Sequence, residues 1–194
     1  MKTYTWKEAF EEAHRAAKAG MPRSQNFVGY CYDSGKGVRR SMRMARYWYE
    51  KAAENGQLDA IFNLGVINDK GLGMRRDAAR AVELYRQAAL LGDPQAQANL
   101  AVMLLDGDGV KKDTVAGFYW LKRAAQRGDA RAQYNLGWAY LSGGDAVQKD
   151  VTRARRWLSK AAESGHARAE RLLKSVSKDG ARSISAKRQA KIGK

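Results

Sequence analysis

The side chains best suited to metal or nucleophilic chemistry in this 194-residue chain are two histidines and one cysteine. Such chemistry needs those groups to converge, as ligands at short helical spacings or as a thiol beside its base. His14 and His166 fall near opposite ends of the sequence, and Cys31 stands alone, so no intramolecular disulfide can form. The glycine pair of Gly107 and Gly109 has counterparts elsewhere, always between helical stretches and never after a strand, which marks turns and not a phosphate cradle. The sequence predicts no catalytic residue, no metal site and no cofactor, and Cys31 reads as a small core residue.

A different chemistry recurs along the chain. Asn63, Asn99 and Asn135 stand 36 residues apart, with Phe27 in the corresponding earlier position. An asparagine amide both donates and accepts, which suits an extended peptide backbone. Tyr30, Phe62, Tyr134 and Trp138 lie beside that column and offer aromatic faces, and Arg23, Asp59, Gln95 and Arg131 precede it by one helical turn. Asn63, Asn99, Asn135, Tyr30, Phe62, Tyr134, Trp138 and Arg131 form a candidate partner-binding set. The same asparagines would also serve as bonds between adjacent helices and the aromatics as core, and both readings stay open at this stage.

A basic set recurs too. Arg39 and Arg40, Arg75 and Arg76, Lys111 and Lys112, then Lys149, occupy two neighbouring columns that stacking would align into a ladder. It is either a solvated edge or a contact line for an acidic partner. Arg86, Lys122, Arg123 and Lys160 come late in helical stretches, where cations complement the helix dipole.

These columns are set by a glycine frame: Gly20, Gly56, Gly92, Gly128 and Gly165, at intervals of 36, 36, 36 and 37 residues. Four positions after each glycine the residue is small, and eight positions after it Val28, Leu64, Leu100, Leu136 and Leu173 are apolar, which is helical spacing. Gly35, Gly71, Gly107 and Gly143 break the helix into a loop. Ser41, Asp77, Asp113 and Asp150 are placed to cap a second helix, whose buried stripe reads Ala45, Trp48, Ala52 and its counterparts. The tryptophan column of Trp48, Trp120 and Trp157 reads as core. The fourth unit has one extra residue and Ala146 where a glycine is expected, so its loop should be reshaped. Residues 4–19 match only a second helix, with Glu12 in the tryptophan column, and residues 165–177 only a first, with Lys174 at a usually small position. Both suit outward-facing caps.

The stretches from Ala132 to Gly143, from Ala98 to Asp113 and from Arg153 to Gly165 resemble Sel1-like repeats, relatives of tetratricopeptide repeats. The resemblance implies an all-α fold, a right-handed α-solenoid (superhelix) of antiparallel helix pairs, with four full repeats at 20–55, 56–91, 92–127 and 128–164. It also implies a bacterial adaptor whose concave side, lined by first helices, binds another protein. Helicobacter members of that family carry a cysteine pair in each repeat, which this chain lacks. Some members are immunity proteins that block a toxin, which is a second reading.

Composition adds charge. Against 20 Asp and Glu stand 36 Lys and Arg, a net +16. Residues 178–194 are basic and read as a disordered tail, and binding of nucleic acid or an anionic surface through tail and ladder is a third reading. The N-terminus shows no signal-peptide pattern and no stretch is long and apolar enough to span a membrane, so a cytoplasmic, monomeric protein is expected, with a protein or peptide partner of acidic character.

Overall fold

The computed structural model describes residues 5–176, and the basic segment 178–194 lies outside the described residues. Each of the nine named helices is 13 residues long: α1 (Trp6–Lys18), α2 (Pro22–Ser34), α3 (Met42–Glu54), α4 (Leu58–Lys70), α5 (Ala78–Leu90), α6 (Pro94–Asp106), α7 (Thr114–Gln126), α8 (Ala130–Ser142) and α9 (Val151–Glu163). A further helical run covers 167–176. The chain forms two compact units that part at Lys112 and Asp113, with α1 to α6 in unit 1 and α7 onward in unit 2. Within each unit every helix packs on the next in sequence.

The helix ends follow from local chemistry. Ser41, Asp77, Asp113 and Asp150 each accept a hydrogen bond from the backbone N–H three residues on, satisfying an amide the helix leaves free. The frame glycines at 20, 56, 92, 128 and 165 all have positive φ, between 73° and 97°, a conformation costly for any residue with a Cβ. Two capping groups escaped the sequence reading. Asp93 and Asp129 cap α6 and α8, and Thr5 with Glu8 forms a reciprocal capping box on α1.

The core of each unit combines small and large columns. Gly29 and Gly65 stand in the middle of first helices because the rings of Tyr49 and Tyr85 lie against them; a Cβ on Gly65 would come within 2.7 Å of the Tyr85 ring. Gly137 meets Leu158 in the same way. Cys31 is fully buried with Phe10, Val28 and Trp48, and burial pushes its thiol pKa up, only partly opposed by Lys36. The tryptophan column is uneven: Trp48 is buried, whereas Trp120 and Trp157 are half-buried. Glu12 and Lys174 are exposed on the terminal helices.

The fourth loop is reshaped. Gly143 adopts φ 72° with an extended ψ of 178°, and Gly144 and Val147 exchange backbone hydrogen bonds at 2.9 and 3.2 Å, closing a small turn around Asp145 and Ala146. The extra residue is absorbed there, and Asp150 still caps α9.

Candidate functional site

The first helix of each repeat carries the candidate residues along one stripe. On α8, Arg131, Asn135 and Trp138 fall at i, i+4 and i+7, which places them on one face. Trp138 is 55% exposed, unusual for the largest apolar side chain. Asn135 beside it is half-buried, and its amide finds no hydrogen-bond partner among the described residues. Arg131 is exposed and engaged in an interaction of its own. Tyr134 belongs elsewhere: it is half-buried, stacks on the His166 ring at 4.7 Å and packs on Leu158, Ala161 and Ala169. His166 in turn accepts the Ala169 N–H through Nδ1.

Unit 1 repeats the stripe with different side chains. Asn63 and Asn99 are both half-buried, and Val66 and Val102 follow each of them by three positions. Val102 is 41% exposed. In α2 the stripe runs through Phe27 and Tyr30, the latter 37% exposed. Phe27 stacks on Trp6 at 6.4 Å, and the Lys36 ammonium lies 4.5 Å from the Trp6 ring centre and donates to the Tyr30 hydroxyl at 2.5 Å. The first repeat therefore closes its end of the stripe with an aromatic and cationic cluster where the others keep asparagine. Phe62 is half-buried against Tyr85 at 6.0 Å. Val66 and Val102 went unremarked in the sequence because a valine in a helix reads as core; only exposure reveals that the column three residues past the asparagine faces outward.

One polar column that bonds between helices is glutamine. Gln25, Gln97 and Gln133 are buried and donate to the carbonyls of Ala17, Ala89 and Ala125 at 3.3, 3.0 and 3.2 Å. Each adds a side-chain hydrogen bond to a carbonyl in the last turn of the preceding helix that already accepts the N–H of the frame glycine. The recurrence of Gln at the fifth position after the frame glycine was the available signal.

The basic ladder divides into two kinds of residue. In the inner column, Arg40 donates through Nε to the Asp33 carbonyl and Arg76 to the Asp69 carbonyl, each at 2.7 Å, closing the ends of α2 and α4. Arg76 also pairs with the carboxylates of Asp69, at 3.2 Å, and Asp108, and it holds the Asp108 carboxyl below the usual carboxylate range. The outer column of Arg39, Arg75 and Lys111 is exposed, with no ion pair among the described residues. Lys112 and Lys149 are exposed as well. Of the late basic residues, Arg123 donates to the Tyr119 hydroxyl at 3.0 Å, and Lys160 lies 5.0 Å over the Trp157 ring. His14 is packed between Phe10 and Trp48, with centroid distances of 5.3 and 5.4 Å.

Short uniform helices joined by glycine turns, small-to-large core columns and outward stripes define an all-α helical-repeat protein, a class whose members present surfaces for binding. Residues 22–57, 58–93, 94–129 and 130–166 each match the Sel1 repeat, and the chain belongs to that family. Its α-solenoid fold is shared by a Sel1 repeat protein from Oxalobacter formigenes, 36% identical with a TM-score of 0.81 over 88% of this chain and 69% of the other. The protective antigen c5321 of uropathogenic Escherichia coli is 39% identical with a TM-score of 0.79, over 82% of this chain and 34% of its own. The chitin synthase regulator SKT5 of Saccharomyces cerevisiae is 53% identical over 57 residues, 29% of this chain and 8% of the regulator. The chain thus spans about a third of the E. coli protein and under a tenth of the yeast one. Sel1 repeats serve as protein-interaction scaffolds.

Proposed function

We propose that this chain is a non-catalytic adaptor that binds a protein or peptide on its first-helix faces, with the α8 stripe as the principal contact. The observation that carries this reading is Trp138: an indole 55% exposed on a helix whose other face is well packed, aligned with Asn135 and Arg131. Burying that ring against a partner would contribute favourably, and aromatic and arginine anchors commonly dominate interfaces. Asn135 offers both a donor and an acceptor to a peptide backbone, and Arg131 favours a carboxylate on the ligand. Neutralisation of a toxin would be one use of the same stripe. In affinity capture from the source cells, Asn135→Ala combined with Trp138→Ala should reduce the specifically retained partner by about tenfold or more, with the helical circular dichroism unchanged. Undiminished capture by that folded double variant would overturn the assignment.

A further inference from the structure

The exposed side of α9 holds a second surface, separate from the α8 stripe. Arg153, Arg156 and Lys160 fall at i, i+3 and i+7, all exposed, and the basic stretch ends one turn later at Glu163. Arg153 is paired at its own helix start, with Nε 3.2 Å from Asp150 and its guanidinium 5.7 Å over the Tyr140 ring. Arg156 and Lys160 have no carboxylate within ion-pair distance among the described residues.

The other repeats serve as an internal control, since they build the same helix with at most one cation in these three columns. The column of Arg156 holds Tyr47, Glu83 and Tyr119; that of Arg153 holds Met44, Arg80 and Ala116; that of Lys160 holds Lys51, Gln87 and Arg123. In α5 the pair at the first two columns is Arg80 and Glu83, joined at 2.7 Å. In α9 the acidic partner has become Arg156, so an attractive i, i+3 pair is replaced by like charges that disfavour the helix slightly. A local rule broken where the fold does not require it marks a surface kept for something else.

We propose that this face of α9 docks an acidic helix of a protein partner, with carboxylates at the same three- and four-residue spacing. At about 1.5 Å per residue the three cations rise along the axis in steps of about 4.5 and 6 Å, the rhythm that carboxylates on one face of a second helix reproduce. A single nucleic-acid strand would need an open stacking face, whereas the Trp157 ring is half-buried and covered by the Lys160 ammonium at 5.0 Å.

The probe is an alanine-based helical peptide of about 18 residues with glutamates at i, i+3 and i+7, titrated into the full chain at low ionic strength and followed by NMR. Its comparators are a sequence isomer with the same glutamates spread around the helix and an oligothymidine of equal length. The aligned peptide should bind at least about fivefold more tightly than the isomer, and Arg156→Ala with Lys160→Ala should weaken it about tenfold. Arg39→Ala with Arg75→Ala, the same change of charge in unit 1, should leave it unaltered. Equal binding of the two peptides, indifference to the α9 substitutions, equal loss from the unit 1 control, or tighter binding of oligothymidine would each overturn the proposal.

Discussion

Unit 1 and unit 2 are built from one repeat but use their loops and charges differently. In unit 1 the second loop glycine sits directly on the start of an earlier helix: Gly37 on the backbone at Trp6, Gly73 on Met42, Gly109 on Ala78, none with room for a Cβ. In unit 2 the corresponding loop turns back on itself through Gly144 and Val147, and Gly144 faces open space. Charge follows the same division. Unit 1 has 18 Lys and Arg against 13 Asp and Glu, a net +5, and Arg40, Arg46, Lys51, Lys70, Arg76 and Arg80 all lie within 4.0 Å of a carboxylate. Unit 2 has 18 against 7, a net +11 in fewer residues, of which +5 falls in 177–194 outside the described residues; on α9 Arg153 pairs with Asp150, while Arg156 and Lys160 face solvent. A shared frame thus specifies the helices in both places, while among the described residues unit 1 ties more of its cations to carboxylates and unit 2 leaves more of them exposed.

The loop contrast can be broken by one methyl group. Gly109→Ala forces a Cβ into the Ala78 backbone at a φ of 71°, and should cost about 3 kcal/mol or more from overlap and strain together. Gly144→Ala, with open space around it, should cost only about 1 kcal/mol. Urea unfolding of the two variants measures the difference; equal losses would mean that loop docking does not distinguish the units.

A smaller effect sharpens the contrast by improving unit 1. Asp93 and Asp129 cap α6 and α8, whereas the N-cap position of α2 holds Met21, which makes no side-chain cap and is 57% exposed. Met21 is followed by Pro22 as Asp93 is by Pro94, so Met21→Asp should raise stability by about 1 kcal/mol. The check is a rise in the denaturation midpoint without a change in slope.

The smallest effect is a pH dependence confined to unit 1. Burial, then repulsion from Lys18, holds the His14 pKa below its ordinary 6.5. The unfolded chain therefore takes up this proton first, and the stability present above pH 6.5 is lost as the pH falls through that value toward the folded pKa. Chemical denaturation at pH 7.5 and 5.5 should show a loss on acidification that shrinks in His14→Phe.

The recurrence of glycine, small, apolar and Ser/Asp positions determined the helix pairs, the N-caps of the second helices and the four repeats, because each of those features is local and has a fixed spacing. The uneven fourth loop was legible for the same reason. How deeply each polar column is buried was not: Asn63 and Gln97 have the same chemistry, and only helix packing buries the glutamine on the Ala89 carbonyl while leaving Asn63 half-buried. Packing also separated Arg76, tied to Asp69 and Asp108, from Arg75 beside it. Residues adjacent in sequence share a composition but point different ways, and their direction is set by the tertiary fold.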